Sequence, residues 1–502
     1  MNTTWILPTE PVQLSHYIDG AYSAFDGEAA LDRVAPSHDM VVSRAVKASE
    51  AQTEAAILSA RKAFDQGPWP KMAARDRAKI LNRVADLIER HANRLAVLEC
   101  LETGKPITQA HGEVSGSATL WRHAATLAAT TVGETHNTLG EDMLAMVLKE
   151  PIGVVSIITP WNFPFWILGQ KLPFALAAGC TCVVKPSEIS PSTTALLGEL
   201  LTEAGLPAGA CNIVLGLGDP VGRLLSTHEA VDMISFTGST ATGKMISRQA
   251  ADTLKKVSLE LGGKNPLVVF DDANLDEAAD ALVFGAYFNG GQCCNASSRA
   301  IVHADIAQEL ADKVVALSKQ VKVGDPMDPE TQMGTMVHDQ HRSKIAADVE
   351  AAVKDGATLA LGGEAYALEA LPGALMYAPT VLTQVKPHMA VASEEVFGPV
   401  LSMLTFGTMD EAVEITNNIS FGLSAGIYSN NVHTCLEFAR RAQAGTIWTN
   451  TWMDGFPEVT FGGMKQSGQG REIGRYGLEE FMEVKSVVMR LGQTRDPWIR
   501  PS

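Results

Sequence analysis

Cysteine is scarce in this chain. Seven thiols stand among 502 residues, an odd number, with no CxxC and no paired-histidine spacing. That excludes a disulfide-stapled secreted scaffold. It also leaves a metal cage built from Cys180, Cys182, Cys293 and Cys294 without support, so no metal is expected. Positive charge is short as well: 40 Lys and Arg stand against 57 Asp and Glu, a net charge of -17. Such a surface argues against nucleic acid and anionic membrane as partners. A basic-then-apolar signal pattern is missing from the N-terminus. One uncharged stretch, Pro151–Gln170, is about long enough to span a membrane, but Pro151, Gly153, Pro160, Asn162 and Pro164 interrupt it. It reads as a buried strand, a loop and a helix start. Repeats and low-complexity segments are absent too. A soluble, cytoplasmic protein with reduced thiols is the expectation.

What is present is ordinary globular composition, 46% hydrophobic and 19% charged. The length calls for two or three domains. Residues 1–45 read as irregular with short strands. Arg75–Arg94 reads as an amphipathic helix, with Ile80, Leu81, Val84, Leu87 and Ile88 on one stripe. Around Thr131–Lys149 the pattern loosens into a strand-like arm. From Gly153 apolar runs alternate with helical ones: Val154–Thr159, Thr181–Val184, Asn212–Leu215 and Met233–Phe236 as strands. Ser190 is expected to cap the helix after the second run, with Pro191 at its first position and Gly205 past its end. A second series starts at Leu267–Phe270, with helices at Leu275–Phe288 and Ile306–Leu317 and later strands near Val400–Phe406 and Thr446–Asn450. Buried strands alternating with helices imply parallel sheets covered on both faces, an α/β fold.

The chemistry centres on Phe284–Arg299. Adjacent thiols, Cys293 and Cys294, follow a Gly290-Gly291-Gln292 turn. Taken alone, this is either a nucleophile or a buried small hydrophobe. Other strand ends carry further candidates. Pro160-Trp161-Asn162-Phe163-Pro164 holds an amide that could donate to an oxyanion, or simply make a turn. Lys185-Pro186-Ser187-Glu188 places a carboxylate where ligands bind in open sheets, or where a loop charge is solvated. Phe236-Thr237-Gly238-Ser239 opens a helix and could seat a pyrophosphate, though it is not the G-x-G-x-x-G fingerprint. Glu260, in Leu259-Glu260-Leu261-Gly262-Gly263-Lys264, is either a general base with a raised pKa or a structural partner of Lys264.

Together these segments resemble the NAD(P)-dependent aldehyde dehydrogenase superfamily over roughly Tyr17–Leu491. PWNFP, KPSE, FTGST, LELGGK, GQCC and EEVFGP occur in the family's order, followed by FGGMKQSGQGRE. The resemblance implies a Rossmann-type dinucleotide domain (1–128 and 150–261), an α/β catalytic domain (262–478) and a β-arm for oligomerisation (129–149 and 479–495). It implies Cys294 as nucleophile, Glu260 as general base and Asn162 as oxyanion donor. Lys185 and Glu188 match contacts to the adenosine ribose, Ser239 to the pyrophosphate, and Glu395 and Phe397 to the nicotinamide end. Ile158, Thr159, Pro160, Trp161, Gly218, Phe236, Gly238 and Leu261 are expected to complete the cofactor's surroundings. Phe163, Trp166, Cys293, Trp452 and Phe461 are expected to line the substrate tunnel. Departures from the family pattern at Gln170, Met453, Gly455 and Ala296-Ser297-Ser298 leave the chemistry intact and the substrate open.

The implied reaction is oxidation of an aldehyde to the acid with NAD, NADP being the weaker alternative, through a Cys thiohemiacetal and thioester. The partners implied are a small aldehyde and further copies of this chain, as dimer or tetramer. Competing readings are a Cys-dependent hydrolase or acyl transferase that never uses NAD, an inactive relative, and a CoA-acylating enzyme. The substrate is a small aliphatic or aromatic aldehyde, or a cationic one held by Phe163, Trp166, Trp452, Phe456 and Phe461 with Asp454 and Glu458 nearby.

Overall fold

The computed structural model describes residues 5–26, 30–492 and 498–499. The ends of the expected ranges at 1–4, 27–29 and 493–495 lie outside them. Two large sheets carry the fold. The first has eight strands in the order Gly468–Gln469, Lys256–Glu260, Met233–Thr237, Val154–Ile158, Thr181–Lys185, Cys211–Ile213, Tyr17–Ile18 and Ala21–Tyr22. Its five central strands are parallel. All residues of Val154–Ile158, Thr181–Lys185 and Met233–Thr237 are buried, which is why they read as continuous apolar runs. The second sheet has seven strands, with Pro266–Val269 paired in parallel to Arg299–His303 and to Ser424–Tyr428.

Helices cover both faces, as the alternation predicts. The amphipathic stripe extends into a helix over Ala74–Thr103, which buries Ile80, Leu81, Val84, Leu87 and Ile88 and stops at Gly104 in the left-handed region. It packs along Ile107–Thr130, a 24-residue helix the sequence patterning did not single out. Among the described residues, no helix is long and apolar enough to cross a membrane.

Two expectations need correction. Ser190 does not cap the helix after Thr181–Lys185. That helix runs Ser192–Ala204, with Pro191 at the cap and no side-chain cap of its own. Its start is capped from a distance: Glu102, in the last turn of Ala74–Thr103, accepts from the Ser192 N–H at 3.1 Å and from its hydroxyl at 2.6 Å. A buried carboxylate at a helix N-terminus satisfies free N–H groups and the helix dipole together. The stretch after Phe461, placed by sequence in the second unit, returns to the first. Gly468–Gln469 adds an antiparallel edge to Lys256–Glu260, and the helix Gly474–Glu480 packs on the helices Ile107–Thr130 and Pro164–Ala178. Met143–Pro151 pairs antiparallel with Met482–Arg490 and with Glu134–His136.

Candidate active site

The thiol pair sits on a turn that no ordinary residue run would make. Asn289, Gly290 and Gly291 are consecutively left-handed, at φ 52°, 63° and 69°, a conformation in which glycine meets little resistance. Side-chain amides hold the turn. Gln292 accepts from the Val337 N–H at 2.9 Å and donates to the Asn289 and Thr335 carbonyls, each at 3.2 Å. Asn265 donates to the Cys294 carbonyl at 2.8 Å and to that of Ala296 at 3.0 Å. At Gly263 a β-carbon would lie 2.5 Å from the Cys294 carbonyl oxygen, so the approach of the two backbones requires glycine.

Asn162 joins this turn. Its amide donates to the Gln292 carbonyl at 3.2 Å, while Asn289 donates to the Asn162 carbonyl at 3.0 Å. The strand end Val154–Ile158 and the thiol turn are therefore locked together, with the Asn162 amide fixed on the Gln292 carbonyl, two residues before Cys294. Cys293 is buried and donates to the Asn295 side chain at 2.7 Å. Cys294 is partly exposed. Its thiol pKa is pushed well up, first by the hydrogen-bonding Cys293 side chain, then by burial and by the charges of Cys293 and Glu395; the Asn295 N–H works the other way. At rest it is a thiol that must lose its proton before it attacks, and its partly exposed position lets that proton pass to solvent.

Glu260 ends the strand Lys256–Glu260 and is 5% exposed. Neither carboxyl oxygen has a hydrogen-bond partner among the described residues, and the same holds for the buried Lys264 amine, so no Glu260–Lys264 pair exists. Burial raises the Glu260 pKa well above the carboxylate range, the Glu472 charge adds to this, and Lys171 opposes it. Lys171 and Glu472 form a buried ion pair, with Lys171 also donating to Ser235 at 3.1 Å. Sequence reasoning missed that pair. Its signal was there: Lys171 is the only charge in the apolar helix Pro164–Ala178.

The expected cofactor residues gather at the carboxyl ends of the first sheet. Ile158, Thr159, Phe236 and Leu261 are buried around the strand ends. Buried Lys185 lies 3.6 Å from the half-exposed Glu188 carboxylate. Gly238 donates to the Glu260 carbonyl, and Ser239 caps the helix Thr240–Ala250 through its hydroxyl. A β-carbon at Gly218 would meet open space. Trp161 stands edge-on to Phe397 at 5.6 Å, and Phe397 is itself left-handed at φ 61°. Glu395 accepts from the Gly263 N–H at 3.0 Å, and burial lifts its pKa to about 7.

The expected tunnel residues divide. Phe163 and Cys293 cluster with Ile167 and Ala296, flanked by Trp166, Phe288 and Met453. Trp452 does not join them. It packs 4.9 Å from Trp448 inside the core of the second sheet, against the space left by Gly285 and Gly426. Met453, its neighbour, packs against both that core and the cluster. Phe461 packs on the core of the first unit, its backbone bridged to Glu472.

Comparison with known proteins agrees with this geometry. The profile described as Aldehyde dehydrogenase family matches residues 23–487. A betaine aldehyde dehydrogenase of Bacillus subtilis is 38% identical over 94% of this chain and 96% of its own length. A peroxisomal aminoaldehyde dehydrogenase of Pisum sativum is 37% identical over 97% of each. Among solved structures, an NAD-dependent aldehyde dehydrogenase from Sinorhizobium meliloti superposes with a TM-score of 0.95 at 46% identity, covering 98% of this chain and 97% of the other. A betaine aldehyde dehydrogenase from Staphylococcus aureus in complex with NAD+ gives 0.94 at 36% identity, with the same coverage. This chain belongs to the aldehyde dehydrogenase family.

Proposed function

We propose that Cys294 is the nucleophile, Glu260 the general base and Asn162 an oxyanion donor in the oxidation of an aldehyde to its carboxylic acid with reduction of NAD. One observation carries the assignment of roles. The Glu260 carboxyl is buried with no hydrogen-bond partner among the described residues, and the Cys294 charge adds to the rise of its pKa. An uncompensated buried carboxyl is costly, and a base poised to take a proton is a function that repays it.

The residues at the strand ends suit a dinucleotide. Glu188 offers a half-exposed carboxylate for two ribose hydroxyls, and Ser239 stands at the N-terminus of an 11-residue helix, where N–H groups and the dipole favour phosphate. Bound there, NAD supplies the hydride acceptor that converts a thiohemiacetal into a thioester. The chain's own residues do the rest. Cys294, deprotonated, adds to the aldehyde carbonyl. The Asn162 amide donates to the developing oxyanion, an effect worth about 3–4 kcal/mol per good donor. Glu260 then takes a proton from the water that hydrolyses the thioester. That water step favours release of the free acid over transfer to CoA. Absorbance of NADH with a generic aldehyde, measured with and without CoA, tests the reading. Acid formation without NADH would favour the hydrolase; strict CoA dependence would favour the acylating enzyme.

Glu188 should also set cofactor preference. A 2′-phosphate brings negative charge onto this carboxylate, and a like-charge contact costs enough to favour NAD over NADP by about ten-fold or more in kcat/KM. Glu188→Ser should narrow or reverse that ratio. Equal efficiencies in the unaltered enzyme would remove Glu188 from the role.

Self-association through the arm is part of the same proposal. Val484 and Val488 are about two-thirds exposed on the strand Met482–Arg490, and an exposed apolar strand invites a second copy. Unbridged cysteines support a reducing compartment, here taken as the cytoplasm.

A further inference from the structure

Buried donors without acceptors gather where the strand Lys256–Glu260 leads through Gly262 and Gly263 into the second sheet. Lys264 and Asn265 line a small cavity with Thr416, in the helix Met409–Asn417, and Ser424, which opens the strand Ser424–Tyr428. Lys264 is 1% exposed, Thr416 5% and Ser424 2%. The Lys264 amine and the Thr416 and Ser424 hydroxyls have no hydrogen-bond partner among the described residues, and neither has Nε of buried Arg299. Arg299 stands at the same place, its Nη2 donating to the Thr416 carbonyl at 3.2 Å. Acceptors there are already in use. The Ile419 carbonyl accepts from Lys465 at 3.3 Å, and that of Gly422 from the Gly445 N–H at 3.1 Å. The Asn265 side-chain oxygen accepts from the Ser424 N–H at 3.1 Å. Glu395 and Asp348, the acids whose charges reach Lys264, lie outside the lining, and Glu395 accepts from the Gly263 N–H instead. The Arg299 and Lys344 charges oppose them.

We propose that this cavity is a binding site for one monatomic anion, a halide such as chloride, held by the Lys264 ammonium and the Thr416 and Ser424 hydroxyls beside Arg299. Size sets the class. A cavity of about 10 Å³ admits one particle of about the size of a water molecule and excludes sulfate, phosphate and carboxylates. Charge sets the sign, because two buried cations stand here with no carboxylate in the lining, and buried charge is costly until it is paired. Hydrogen bonding separates the anion from water: a water must place two hydrogens of its own, whereas a halide accepts from every donor around it. The site also borders the thiol turn, since Asn265 in its wall donates to the Cys294 carbonyl at 2.8 Å. Proton linkage follows. Burial, with the Arg299 charge, lowers the Lys264 pKa to about 7, so an anion that binds the ammonium takes up a proton above that pH. Affinity should fall there by about ten-fold per pH unit for the Lys264 proton. Glu395, lifted by burial to about 7, ionises over the same range and opposes the anion too, while Arg299, lowered to about 9, keeps its charge.

The test uses the full chain and needs neither aldehyde nor cofactor, so its outcome is separate from that of the oxidation chemistry. Bromide is the probe, because its anomalous scattering distinguishes it from water. Crystals grown in sodium bromide at mildly acid pH should show an anomalous peak in contact with Lys264 Nζ and the two hydroxyls. In solution, exchanging sulfate for bromide or chloride at constant ionic strength should raise the melting temperature of the unaltered chain, relative to that of Lys264→Met, by about 1–3 °C at saturation. That difference should shrink as pH rises, and the peak should vanish in Lys264→Met. If Lys264→Met fails to fold, Thr416→Val combined with Ser424→Ala keeps the ammonium and should weaken halide binding by about ten-fold, as two hydrogen bonds to a charged group are lost; unchanged binding there overturns the proposal. Ordered water without anomalous signal at saturating bromide overturns it as well. A peak with no Lys264-dependent shift in solution means an adventitious ion only, with the same consequence. An equal, Lys264-dependent response to acetate overturns the assignment to a monatomic anion.

Discussion

Cys294→Ala is expected to lose NADH formation with every aldehyde, by about 10⁴-fold or more, because the covalent intermediate cannot form. Cys293→Ala is expected to keep turnover within several-fold. The two thiols are adjacent in sequence but not in circumstance. Cys293 is buried against Phe163, Ile167 and Ala296 and bonds to Asn295, whereas Cys294 is partly exposed and within electrostatic reach of Glu260 and Glu395. A second readout separates them further. Cys293 is the largest cause of the raised Cys294 pKa. Its removal should lower that pKa, so iodoacetamide should alkylate Cys294 faster at a given pH below it, because only the thiolate reacts. A dead Cys293→Ala with an active Cys294→Ala would shift the assignment by one residue. Unchanged alkylation would deny the coupling between the thiols.

The parts of this molecule that sequence made readable share a physical property: their signal is local. Fully buried parallel strands such as Thr181–Lys185 leave continuous apolar runs. The thiol turn announces itself by Gly290 and Gly291, and the family resemblance rests on short contiguous segments. The rest depends on which side chains meet across the chain. Lys171 and Glu472 are 301 residues apart. The cap on Ser192 comes from Glu102 rather than from neighbouring Ser190. Lys105 reaches Phe163 from another helix end. Trp452 and Met453 show the limit most plainly. Both residues border the second core, but only Met453 also borders the cluster around Cys293, and the bulkier one was the natural choice for the tunnel. Its indole instead fills the space that Gly285 and Gly426 leave in the second core. Pattern alone does not reveal that the core had room for it.

Glu260→Gln is expected to form about one NADH per active site and then stall, since acylation needs Cys294 while hydrolysis of the thioester needs a base. The amide keeps the shape of the carboxyl and removes its proton affinity. The stalled species should appear as an acyl mass increment on the peptide carrying Cys294, and hydroxylamine should restore turnover by acting as the nucleophile in place of activated water. Unchanged steady-state turnover would take Glu260 out of deacylation. The pH dependence carries the same argument in sign. Burial and the Glu472 charge raise the Glu260 pKa, and Lys171 lowers it. The basic form therefore dominates only above the ordinary carboxylate range, and deacylation should rise with pH across that raised interval. Glu472→Gln deletes the negative charge and leaves the Lys171 ammonium without its partner. Both changes stabilise ionised Glu260, so the rising limb of the single-turnover deacylation rate should move to lower pH. A limb that stays in place, or moves up, would mean that the group titrating in deacylation is not Glu260.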